Sequence, residues 1–254
     1  MKFDVLLNKI AQSPRLDFGD IFGKSIDLFK KTWTQGLLLL LTSLVLVIPL
    51  VILLYSPMFV SAFTGDFDPE TGKDLPVGAI IAFAVIFIPV LILIQTVGLA
   101  LMSGYYKIIQ EIDLKGAVQN ASLFMFFKSQ YLGKLFTISF FSIVITLLAM
   151  LLCVIPMFYV AIPLYFVAVV FAFNPELSAK ENIQVCFKLG HKKWWLTFGL
   201  VMVAGLLAEM VGLLLCGIGL LFTASFPYLP IYLIYKDAVG FDENETQTHA
   251  ISEF

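Results

Sequence analysis

Glu209 is the one acidic residue deep inside an apolar stretch of this sequence, the run from Trp195 to Leu215. A carboxylate surrounded by hydrocarbon is costly, so by default it marks a functional site. The sharp reading is a proton- or cation-linked group facing a central cavity. The plain alternative is a protonated glutamic acid bonded to a free carbonyl of a kinked helix, or a side chain displaced toward the membrane surface. Ala204, Ala208 and Gly212 lie beside it at four-residue spacing, a stripe on which two helices approach closely. Gln95, in a second apolar run, is the candidate polar partner.

Two basic-aromatic clusters stand where a polar segment meets an apolar one: Lys30-Lys31-Thr32-Trp33 and Lys192-Lys193-Trp194-Trp195. Each lysine near an anionic membrane surface contributes about 1 kcal/mol of attraction. Generic interfacial anchoring and specific phospholipid recognition both fit this pattern. Cys153 and Cys216 occupy equivalent places, in Leu-Leu-Cys-Val-Ile-Pro and Leu-Leu-Cys-Gly-Ile-Gly. They are small apolar fillers or, in an oxidising compartment, a disulfide across two helix ends. The chain offers no phosphate-binding glycine loop, no His-Glu metal pair and no nucleophile elbow. Its two histidines, His191 and His249, fall short of a four-histidine iron site. The expectation is therefore no catalytic residue, no metal and no cofactor.

Composition sets the elements that must position these groups. The chain has 254 residues, 60% hydrophobic and 13% charged, whereas soluble proteins average about 45–50% apolar and about 25% charged. Several apolar runs reach the roughly 20 residues that a bilayer crossing needs. They predict six spans, at about 36–57, 77–104, 135–153, 157–173, 195–215 and 218–235, between a cytoplasmic segment 1–35 and an acidic tail 236–254. The split between the third and fourth spans, near Val154-Ile155-Pro156, is the least marked. Residues 1–15 are too polar for a signal peptide, so the first crossing must act as its own insertion signal. From Asp17, a candidate N-cap, to Trp33, apolar residues recur at three- and four-residue steps. This predicts an amphipathic helix lying at the interface or docked on the bundle. Phe124, Phe126, Phe127 and Tyr131 suggest a second such helix. Asn174-Pro175-Glu176 reads as the start of a third, with Gly190 as its stop. The acidic loop between the first two spans, around Asp66, Asp68 and Glu70, lacks the ligand spacing of an EF-hand.

Lysine and arginine are distributed unevenly: six before the first span, four between the second and third, four between the fourth and fifth, and one in the tail. The opposite face has Lys73 alone. The positive-inside rule then places both termini in the cytoplasm. In each third, a basic-aromatic segment feeds a crossing, and a helix containing Pro89, Pro163 or Pro227 returns, Pro230 adding a further interruption to the last. Proline frees a backbone carbonyl, so kinks are expected at all four positions.

Asp17-Phe18, Ile21-Phe22, Ser25 and Leu28-Phe29-Lys30-Lys31-Thr32-Trp33 are similar to the N-terminal signature of bacterial membrane proteins of the YciC-like type. Glycerophosphodiester phosphodiesterase membrane domains share the general plan. Ser178, Gly190, Trp194-Trp195, Gly217-Ile218-Gly219, Pro227-Tyr228 and Tyr235 resemble the C-terminal half of these families. The resemblance implies a six-helix inner-membrane protein and brings no catalytic residues. The resulting expectation is an all-α polytopic membrane protein of six transmembrane helices, with amphipathic cytoplasmic interfacial helices and a pseudo-threefold repeat of helix pairs. Its function would be non-enzymatic: interaction with membrane lipids, with a membrane protein partner or with further copies of itself, in envelope homeostasis or complex assembly. Nucleic acid is not an expected partner. The alternative is a small transporter coupled through Glu209.

Overall fold

A computed structural model describes residues 1–64, 76–152, 154–215 and 217–241. It is all-helical, with no strand among the described residues. The first helix, α1 (Phe3–Gln12), was not anticipated. Phe3, Leu6, Leu7 and Ile10 recur on one helical face, and Leu6 and Ile10 are buried.

The second helix, α2 (Phe18–Phe63), opens as expected, with the Asp17 carboxylate accepting the Asp20 N–H at 2.9 Å. It then runs unbroken for 46 residues. The amphipathic segment and the first apolar run are thus one helix, not a surface element followed by a crossing. No proline lies between Phe18 and Ile48, and the hydroxyls of Ser25 and Thr32 fold back onto their own helix at Ile21 O and Leu28 O. Nothing in this stretch forces a turn.

The third helix, α3 (Val77–Lys115), is likewise continuous and ends at Gly116, whose φ of 77° suits glycine. The next residues form turns where a surface helix was expected. The Glu111 carboxylate organises them by accepting the N–H groups of Gln119, Asn120 and Ala121. Phe126 leaves the surface to pack edge-on against Phe171. After α4 (Ser129–Leu151) comes a broken pair, α5 (Val154–Tyr165) and α6 (Val167–Phe173). Pro163 lies just before the break, and Phe166 N–H bonds to Pro163 O in a three-residue turn.

Asn174 does not cap the next helix. It is the C-cap of α6, fully buried, donating to Val170 O and to the Tyr235 hydroxyl at 2.6 Å. The following helix, α7 (Ala179–Lys192), starts instead from Ser178, which forms a reciprocal capping box with Glu181. Gly190 is not a stop either, for α7 continues past it. A Cβ there would lie 2.6 Å from Pro163 Cα, so glycine permits α7 to approach α5 at its proline.

Helix α8 (Trp194–Leu214) is followed by two short pieces, α9 (Gly219–Thr223) and α10 (Tyr228–Ala238). The sixth apolar run is therefore interrupted. Phe226 N–H bonds to Thr223 O, and Tyr228 N–H to Ser225 O, before the helix resumes. Pro227 caps α10, and Pro230 sits in its first turn, where a missing N–H costs little. Pro89, by contrast, lies within an unbroken α3.

Five helical segments among the described residues are long and apolar enough to cross a membrane: α2, α3, α4, Pro156–Phe173 and α8. The molecule has two contrasting parts. The second half of α3, all of α6 and most of α10 are buried in one core, with Tyr105, Tyr106, Phe171 and Tyr235 shielded from solvent. Much of α2 from Leu38 onward, the start of α3, the end of α4 and the second half of α8 leave apolar side chains exposed.

Candidate functional site

A cavity of about 690 Å³ lies within the apolar bundle, walled by α2, α3, α4, the α5–α6 break and the α9–α10 break. Both interruptions border it directly: Tyr165 and Val167 flank the first, while Ala224 and Ser225 belong to the second. Aliphatic side chains form much of the wall, including Leu39, Leu91, Leu99 and Ile143. Among the described residues, none that lines it is charged.

The polar groups on the wall are Ser43, Gln95, Ser142, Thr146, Ser225 and the two tyrosines, Tyr165 and Tyr228. Thr146 satisfies its hydroxyl on Ser142 O at 2.8 Å, the usual recourse of such a residue in a helix. Thr96 and Ser103 do the same nearby. Ser142 is buried, and its hydroxyl makes no hydrogen bond among the described residues; Ser225, also buried, sits beside Gly36 with the Tyr105 hydroxyl. Gln95 remains exposed at the cavity, and its amide has no partner among them either. Leu147 and Tyr165 on the same wall are exposed as well.

Glycine supplies the close approaches at this site. A Cβ on Gly36 would lie 2.0 Å from Ser225 Oγ, so α2 and the α9–α10 connection meet only because that position has no side chain. Gly98 differs. It also lines the cavity, and nothing stands within 4 Å of where its Cβ would be. Its missing side chain is cavity volume.

Glu209 is not at this cavity. It is exposed on α8 and absent from the wall. The stripe beside it packs one helix on another. Ala204, Ala208 and Gly212 are buried, a Cβ on Gly212 would meet Leu220 at 2.4 Å, and Thr223 donates to Ala208 O. These contacts dock α9 on α8. Gln95 and Glu209 are thus on separate surfaces, and the expected pairing does not form. Cys153 and Cys216 lie outside the described residues.

The two basic-aromatic clusters are built differently. Lys30 and Lys31 are exposed, with Lys30 bound to Asp27 at 2.9 Å, and Trp33 is exposed beside Phe222. Lys192 instead reaches the end of α1, and Lys193 the chain just after it. Lys192 donates to Ile10 O at 2.8 Å and to Ala11 O, and Lys193 donates to Pro14 O. The last carbonyls of a helix have no intrahelical donors and carry partial negative charge, so ammonium groups are suitable caps. Burial, with the adjacent Lys192 charge, holds the Lys193 ammonium below the usual lysine range. Trp194 stacks on Tyr159 and Phe198 and donates to Tyr159 O at 3.1 Å. Trp195 alone of this cluster projects fully, 80% exposed.

The residues that reading the chain missed are Ser142, whose signal was its failure to find a local acceptor, and Ser225, set against Gly36; both were invisible before the fold. Ser178-x-x-Glu181 was legible as a capping motif. No protein-family model, curated protein or solved structure matches this chain.

Proposed function

We propose that this chain is a bacterial inner-membrane protein that works by holding lipid, with no bond made or broken. The supporting observation is a cavity, with no charged residue on its wall among the described residues, inside a bundle whose outer faces are apolar. An opening on such a bundle faces acyl chains rather than bulk water, and about 690 Å³ lies within the roughly 300–1,000 Å³ range of small-molecule sites. Exposed Trp33 and Trp195, with Lys30 and Lys31, suit the headgroup zone.

In this proposal both termini are cytoplasmic, from the lysine distribution, and α9 and α10 together make a sixth, broken crossing. The placement of Pro163 and Pro227 next to helix breaks supports a repeat of helix pairs. The resemblance to YciC-like proteins agrees with this plan. A transporter coupled through Glu209 is less favoured, because that carboxylate is on another face from the cavity.

Mild extraction of the full chain, followed by identification of everything retained, tests the proposal. Stoichiometric lipid, unchanged by Glu209→Gln, is the expected result. A stoichiometric protein partner without lipid would instead support an assembly role. Loss of a retained solute in Glu209→Gln would restore the transporter.

A further inference from the structure

Resting on the lipid-holding reading, we infer that the cavity selects a neutral amphipathic molecule: an apolar body bearing an uncharged oxygen head, such as an ester, carbonyl or hydroxyl. Gln95 is its recognition residue. An anionic or cationic headgroup needs a counter-charge when removed from water, since the desolvation of an unpaired ion amounts to several kcal/mol. Among the described residues, no lysine, arginine, aspartate or glutamate lines the cavity. A charged phospholipid head would have no partner there.

What the wall does have is neutral hydrogen-bonding capacity left unused. The Gln95 amide can both donate and accept. It sits within a continuous apolar helix, at the cavity, without a partner among the described residues. An amide that faces hydrocarbon without a hydrogen bond is unfavourable, because neither its N–H nor its C=O is solvated there. Replacing it with leucine would avoid that cost, so the amide is useful if something completes it. Ser142 adds a hydroxyl, 5% exposed, that also lacks a partner among the described residues. The remaining wall, with Leu39, Leu91, Leu99 and Ile143, suits hydrocarbon.

Two sources share this chemistry, a diacylglycerol and a prenyl quinone. The purified full-length protein in nanodiscs would be exposed to photoactivatable diacylglycerol, a photoactivatable prenyl quinone and photoactivatable phosphatidylglycerol, and crosslinked peptides mapped. The expected result is that one or both neutral probes label the cavity stretches of α2 and α3, with phosphatidylglycerol excluded from them. Which neutral probe labels identifies the source. Gln95→Leu, which removes the amide and keeps the bulk, should reduce this labelling about tenfold. Gly98→Phe, which fills open space, should abolish it while thermal unfolding stays near that of the parent. Equal labelling by phosphatidylglycerol would overturn the inference, as would Gln95→Leu and Gly98→Phe both leaving neutral labelling intact. Labelling confined to the outer helix faces would also overturn it, yet leave lipid interaction standing. Labelling by no lipid anywhere would remove the underlying reading as well.

Discussion

Gly190 illustrates how one hydrogen atom decides a contact. In the sequence it looks like a terminator, because glycine after a periodic segment commonly ends a helix. In the fold its φ is not positive, and its role is to admit the Pro163 ring and backbone. Gly190→Ala places a carbon 2.6 Å from Pro163 Cα, and backbone cannot rotate away as a flexible side chain can. We expect a loss of about 1–3 kcal/mol, read as a lowered unfolding midpoint in detergent. Gly98→Ala, with open space at its Cβ, should leave the midpoint unchanged or raise it. Glu181 makes a different prediction. The Ser178 hydroxyl and backbone N–H hold its carboxyl below the usual glutamate range. A carboxyl depressed by folding favours the folded state above its unfolded pKa, about 4.3, and that contribution is lost as pH falls through the lower folded value. Amide exchange in the first turn of α7 should therefore accelerate as pH drops below about 4, beyond the ordinary pH dependence of exchange. Glu181→Ala should show that faster relative exchange already at neutral pH, with no further relative change on acidification.

Among the elements, apolar runs were readable because a membrane helix needs length and composition alone. Breaks and junctions were harder. The segment from Asp17 to Trp33 has the amphipathic pattern of a surface helix, but periodicity says nothing about whether a helix bends where its composition changes. Since α2 has no breaker there, it continues. Spin labels at Gly23 and Val45, both exposed, test this directly. A rise of 1.5 Å per residue places them about 33 Å apart in a straight helix, whereas a right-angle bend near Gln35 would bring them to about 23 Å. The first distance is expected. Helix α1 was overlooked because its polar residues diluted the composition, although its apolar residues were correctly spaced. Its attachment could not be read at all, since Lys192 reaches it, and Lys193 the chain just after it, from about 180 residues away.

For the whole molecule, the all-helical class and five of the expected crossings follow from hydrophobicity, whereas the cavity does not. Its wall draws on α2, α3, α4, the α5–α6 break and the α9–α10 break, so no local pattern announces it. Gln95 was visible as a polar residue in an apolar run, but Glu209 was more conspicuous and drew the functional hypothesis. The fold reverses that order, placing Gln95 at the cavity and Glu209 on the outside of α8. Everything proposed for this protein depends on lipid being held inside the bundle. Native mass spectrometry of the mildly extracted protein, parent beside Gly98→Phe, addresses that dependence without intermediate steps. The parent should carry a stoichiometric neutral lipid and the variant none, at equal folding. A parent released bare under conditions that preserve its fold, or a variant retaining the same lipid, would contradict it.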